Sequence, residues 1–163
     1  MLTLKDASYL FSYDHLTGLL KWKNPPSKSR YNPGDVAGTV ANGYLKVSVS
    51  GKSYYVHRIT WLLHYGNNPE FFIDHINGNR SDNRISNLRL ASNTENIWNS
   101  KKMKNNSSGV KGVCWNAAAN KWVARIRING ERKTVGAFSS IEDAELAITN
   151  ARNELHGDFS RND

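Results

Sequence analysis

Residues 73–92, IDHINGNRSDNRISNLRLAS, hold four asparagines, two aspartates and one histidine. Asn and Asp disfavour helix interiors and strands alike. The stretch is therefore either a surface loop or a place where short oxygen-bearing side chains hold something. Asp74 and His75, side by side, give the second option chemical content. An imidazole with an ordinary pKa of about 6.5 can take a proton from water at neutral pH. A fixed acceptor on one ring nitrogen leaves the other to act as base, and an Asn carbonyl provides it without the negative charge that raises an imidazole pKa. Asp and Asn oxygens are hard donors that suit Mg2+ or Mn2+, ions that need few protein ligands beside water and phosphate. Asp74 and one oxygen from the following helix would be enough, and Asn96 lies in the first turn of that helix. A base to activate water and a cation to offset phosphate charge are what phosphodiester hydrolysis at neutral pH requires.

Around these residues the pattern predicts a strand over FFIDHI, a polar loop, a second strand over NLRLA and a helix. Ser92 and Glu95 are spaced as a capping box, which starts that helix near Asn93 and carries it through Trp98 toward Lys101. Such a ββα unit of about 30 residues is too small to bury a core alone and must lean on residues 1–70. There the sequence predicts a short helix in LKDASYLFSYD, a strand in GLLKWK, a hairpin over 44–57 turning at Ser50-Gly51, and a helix over 58–66 closed by Gly66. Downstream, VKGVCW, KWVARIRI and RKTVGAF read as three strands, with Asn129-Gly130 as a hairpin turn. Ser140 and Asp143 cap a last helix with an apolar stripe. Trp122, Ala124, Ile126 and Ile128 alternate with Val123, Arg125 and Arg127, so the apolar sheet face is expected against the helix and the Arg face left free. The expected class is α+β, with one domain at 1–100, a basic linker at 101–109 and a sheet-and-helix domain at 110–158.

The net charge is +8, from 22 Lys+Arg against 14 Asp+Glu. Residues 101–133 carry nine bases (Lys101, Lys102, Lys104, Lys111, Lys121, Arg125, Arg127, Arg132, Lys133) and one acid, Glu131. With Trp115 and Trp122 interleaved, the concentration points to a nucleic-acid partner rather than a plain solvated face. No apolar stretch is long enough for a membrane span, and Asp6 interrupts what an export signal would need. The single cysteine, Cys114, excludes an intramolecular disulfide and a cysteine zinc cluster, so a cytoplasmic, reducing setting is expected.

The stretch DHINGNRSDNRISNLRLASNTEN resembles the HNH endonucleases (the ββα-metal or His-Me finger nucleases), particularly those of phages and their introns. FSYDHLTGLLKWK, DVAGTV, GYLKVSV and VHRITWLLHYG resemble the N-terminal half of the same phage group. The resemblance implies double-stranded DNA as substrate, one Mg2+ or Mn2+ per site, and 5′-phosphate and 3′-hydroxyl products. It makes His75 the general base, Asn87 the residue that orients it, and Asp74 and Asn96 the metal ligands. Asn96 stands where many members have the last histidine of the motif. Asn79 and Asn83 match the motif's loop and are expected to shape it, and Asn77-Gly78 to turn it. Residues 107–157 resemble the ethylene-response-factor (apetala-two) DNA-binding domain, which implies a sheet lying in the major groove. Cys114 and Thr134 replace residues typical of that domain, so its target sequence does not transfer.

Arg125, Arg127 and Arg132, with Trp115, are the candidates for base or backbone contact, and Lys111 adds to the DNA-binding set. Lys101, Lys102 and Lys104 are expected to follow the phosphate backbone. His57 is expected to be structural or to meet a DNA phosphate, His64 to be on the surface, and Trp61 and Trp98 to be core. The expected function is a homing-type phage endonuclease, as monomer or dimer. The rival is a non-catalytic DNA-binding regulator that retains the unit at 74–96 as scaffold. Deleting 106–163 is expected to weaken site-specific binding far more than it harms the catalytic half.

Overall fold

The structure, a computed structural model, describes residues 2–162. It is α+β, and the chain divides into two compact units, Met1–Ala91 and Ser92–Asp163. The sequence places a boundary after residue 100; the division falls ahead of it, between the second strand of the ββα pattern and its helix. No helix among the described residues is long and apolar enough to cross a membrane.

In the first unit Thr3 opens α1 (Leu4–Leu10): its hydroxyl accepts from the Asp6 N–H at 3.1 Å, and the Asp6 carboxylate accepts from the Thr3 N–H. The helix is shorter than the sequence suggests. Phe11 leaves it to begin β1 (Phe11–Tyr13), which pairs with β2 (Leu20–Trp22) and sets Phe11 against Trp22, ring centroids 4.6 Å apart. A partner distant in sequence overrides local helix propensity here. A three-stranded meander follows: β3 (Thr39–Ala41), β4 (Tyr44–Val49) and β5 (Lys52–Tyr55). Its turns are Asn42-Gly43 and Ser50-Gly51, each with positive φ at both residues, as two-residue hairpins of the I′ kind require. Only the second is among the expected turns, although Asn42-Gly43 carries the same Asn-Gly hairpin signal as Asn129-Gly130. α2 (Val56–Tyr65) stops at Gly66, whose φ of 78° lets its N–H reach Leu62 O.

Val56, Ile59 and Leu62 of α2 join Phe11, Leu20, Trp22, Val47 and Val49 in the main core. A smaller cluster of Trp61, Ile73 and Leu88 fixes a second hairpin to α2. That hairpin is β6 (Phe72–His75) paired with β7 (Leu88–Ala91). Trp61 is core, as expected.

In the second unit α3 (Asn93–Trp98) begins at Ser92, whose capping box with Glu95 is present. The sheet is β8 (Val113–Asn116), β9 (Lys121–Ile128) and β10 (Glu131–Phe138), with β9 central and Asn129-Gly130 as a I′ turn. α4 (Ile141–His156) packs Ala144 and Ile148 on Val113, Ala124 and Ile126. The expected faces are present: Trp122 and Ile128 belong to the helix side, Arg125 and Arg127 to the other. Residues 99–112 are no loose linker. Asn106 Nδ2 donates to Val110 O at 2.9 Å, Ser108 Oγ to Val113 O at 2.7 Å, and Lys102 Nζ to Gly109 O at 2.9 Å. At Gly112, φ +79°, a Cβ would come 2.7 Å from Arg125 O. Only glycine lets the end of this segment lie so close to β9.

Candidate active site

The loop between β6 and β7 is tied together by its own short side chains. Asn77 Oδ1 accepts from Asn79 N at 2.8 Å, and Asn79 Oδ1 from Ser81 N at 3.1 Å. Asn77 Nδ2 donates to Asp82 Oδ2 at 2.8 Å, and Arg84 holds Asp82 through Nε at 2.8 Å. Hydrogen bonds from Arg84, chiefly, push the Asp82 carboxyl down to about 2. Such side-chain-to-backbone bonds are what Asn and Asp offer in place of ladder bonds. The loop is also anchored to the earlier strands. The Tyr13 hydroxyl donates to Asn83 O at 2.9 Å, and burial raises that phenol to about 12. At Gly18, φ +75°, a Cβ would stand 2.5 Å from Arg84 N.

This loop delivers Asn83, only 1 % exposed, to His75. Asn83 Oδ1 lies 3.2 Å from His75 Nε2. His75, 4 % exposed at the end of β6, has its pKa lowered below the usual histidine value, chiefly by burial; the Asn83 bond and the charges of Asp74 and Asp82 oppose that shift. The ring is therefore neutral at pH 7. It meets the edge of the His57 ring, centroids 5.2 Å apart at 87°, and Tyr44 lies 6.0 Å away. His57 itself stacks on Tyr55 at 5.2 Å. It is pushed down to about 3 by burial, then by the neighbouring His75 and Arg58, and its Nδ1 has no hydrogen-bond partner. His57 is thus an inner member of the site, in contact with the His75 ring.

Asp74 is 5 % exposed. Its carboxylate stands beside the end of β6 that carries His75, whose ring feels its charge. There it meets Arg89, directly across the ladder: Oδ2 accepts from Nε at 2.9 Å and lies 2.8 Å from the second nitrogen. Among the described residues no three His, Cys, Asp or Glu side chains form a metal-holding group. The donors fit a hard, largely hydrated cation, which takes one or two protein oxygens and leaves the rest to water and phosphate.

The expected site residues divide. Asp74 and His75 are adjacent and buried at the end of β6. Asn87, expected on His75, is engaged elsewhere: its Oδ1 accepts from Asn77 N at 3.0 Å and its Nδ2 donates to Asp82 O at 2.8 Å. Asn83, expected only to shape the loop, is the amide on the imidazole. The two exchange roles because Tyr13 and Gly18 draw the Asn83 segment inward. Asn96 is half-buried on α3, in the second unit. Lys101, Lys102 and Lys104 are exposed. The Lys111 ammonium donates to Trp98 O at 2.9 Å, Ser100 O at 2.6 Å and Arg161 O at 3.0 Å, which makes it a cap for the end of α3. Trp115 pairs with Trp122 across the ladder, ring centroids 5.1 Å apart, and so shares the helix side of the sheet, away from Arg125, Arg127 and Arg132. Trp98 lies flat on His156, centroids 4.1 Å apart at 7°. Arg89 is what sequence reasoning missed, since strand alternation marks it only once the register is known. His57 is expected as a structural or phosphate-contacting residue, and the structure sets it against the His75 ring.

The model of the HNH endonuclease family matches residues 54–97, from β5 to α3. Protein 3.8 of Escherichia phage T7 is 36% identical over 106 residues, which span 64% of this chain and 87% of that protein. No solved structure matches. Neither comparison supports the likeness of residues 107–157 to the ethylene-response-factor domain. With a relative this similar over most of its own length, and with the matched segment containing the hairpin, loop and short helix described above, the chain belongs to the family of the phage T7 Protein 3.8 and carries an HNH endonuclease domain at residues 54–97.

Proposed function

We propose that the protein is a divalent-metal-dependent DNA endonuclease of the phage homing type, leaving 5′-phosphate and 3′-hydroxyl ends. The observation that carries this reading is the buried, neutral His75 ring with Nε2 on the Asn83 carbonyl. With the proton on Nε2 donated to Asn83 Oδ1, Nδ1 is the nitrogen that takes a proton from water. Asn83 holds the tautomer, and Asn87 holds the loop that delivers Asn83. Asp74 binds Mg2+ or Mn2+, with Asn96 as second ligand by its place in the motif. Arg89 fixes the Asp74 carboxylate. The cation, when bound, offsets charge on the phosphate and on the departing oxygen. The C-terminal sheet, with Arg125, Arg127 and Arg132, gives the hold on duplex DNA.

The test is incubation of supercoiled plasmid with the full chain in Mg2+, Mn2+ or EDTA. Nicked or linear product with either metal and none in EDTA is expected. Tight DNA binding with no cleavage in either metal would instead favour the regulator.

A further inference from the structure

Residues 100–106 do not merely follow α3. With the start of β8 and the Arg side of β9 and β10 they enclose a cleft of about 440 Å³. Lys101 and Lys102 stand on one wall, Arg125, Arg127 and Arg132 on the other, and Cys114 lies on the sheet side. No Asp or Glu is among the described residues that line it. The cleft lies wholly within the second unit. The Arg face of the sheet, expected to be left free, is thus walled along one side.

Size restricts the occupant. A volume of 440 Å³ is that of a cube about 7.6 Å on a side. A duplex, whose major groove alone is about 12 Å wide, can lay only part of one strand into its open side. One strand carries a phosphate about every 3.4 Å of helix axis, so about two phosphates fit along the cleft. Five cationic side chains from two walls, with no acid between them, match a polyanion. Lysine on the connector supplies point charges, Lys102 while also donating to Gly109 O, and arginine on the strands supplies planar forks that suit phosphate oxygens.

From this the geometry points to a seat for the phosphodiester backbone of one DNA strand, between the 100–106 segment and the Arg side of the C-terminal sheet. The inference rests on DNA being the substrate and refines how it is held: the segment acts as one jaw and the sheet as the other. Contacts of this kind fix register without reading bases.

Cys114 is the only cysteine in the chain and is exposed, so its thiol reports on the cleft without any substitution. The full chain in EDTA is treated with a maleimide, with and without a mixed-sequence DNA duplex at low salt, and alkylation is followed by mass spectrometry. DNA binding is checked in parallel by mobility shift. The expected result is alkylation slowed at least 10-fold by bound DNA and restored at high salt. In addition, Lys101→Ala with Arg127→Ala should flatten the plot of log affinity against log salt by about two units, one per phosphate lost. An unchanged alkylation rate while the shift assay shows DNA bound would overturn the cleft and leave the nuclease reading intact. Protection by RNA of equal length and not by DNA would overturn it too. Absence of DNA binding altogether would defeat the nuclease reading and the cleft with it.

Discussion

The hairpin loop of residues 76–87 and the segment of residues 99–112 are both rich in short polar side chains, yet they put them to opposite uses. In the first, nearly every amide and carboxylate bonds to a backbone group or to another loop side chain, and the product is a single buried ring held in one orientation. In the second, the short side chains fold the segment back on itself and leave Lys101, Lys102 and Lys104 exposed. Chemistry at one atom needs neutral, dry, rigid surroundings; attraction of a polyanion needs charge in water. The two requirements cannot be met by the same stretch of chain.

The contrast can be broken most sharply at the ring. His75→Ala is expected to lower the cleavage rate by about 10²–10⁴-fold, the range of a lost general base, with DNA affinity unchanged; single-turnover nicking and a mobility shift measure the two. Asn83→Ala should lower the rate in the same direction while Asn87→Ala acts mainly on melting temperature. If Asn87→Ala is the slower enzyme at equal folded fraction, the assignment of the amides is reversed. Arg89→Met removes the guanidinium that bonds the buried Asp74 carboxylate, at a cost of about 3–5 kcal/mol in chemical denaturation.

A smaller effect is set by pH. His57 is held neutral, its folded-state pKa pushed down to about 3. The unfolded chain binds the proton more readily, so this contribution to stability is complete above the ordinary value of about 6.5 and is lost as pH falls toward 3. The slope is at most about 1.4 kcal/mol per pH unit in that window. His57→Phe should flatten it in denaturant melts taken between pH 4 and 7. Gentlest of all, Lys104→Ala should change neither stability nor single-turnover rate, and should reduce the salt slope of binding by at most about one unit.

How much of this was legible in the sequence follows the range of the forces involved. Capping boxes at Ser92 and the turn at Asn129-Gly130 are local, and both stand where the pattern puts them. The Asp74–His75 pair at a strand end is likewise local. Which asparagine meets the imidazole is not, because Asn83 and Asn87 are the same residue type and the choice is made by Tyr13, 70 positions upstream of its partner. Lys111 reads as one more positive charge until the three carbonyls around it are seen. Trp115 reads as part of a basic aromatic face until its pairing with Trp122 assigns it to the other side.

The support under α3 bears on where the chain can be cut or joined. Trp98 rests on His156, and the carbonyls that end the helix are gathered by Lys111, so these two braces come from downstream. Removing 106–163 takes away these props of α3 together with the Arg face of the sheet. A fusion or truncation that keeps α3 must therefore keep Lys111 and His156 with it.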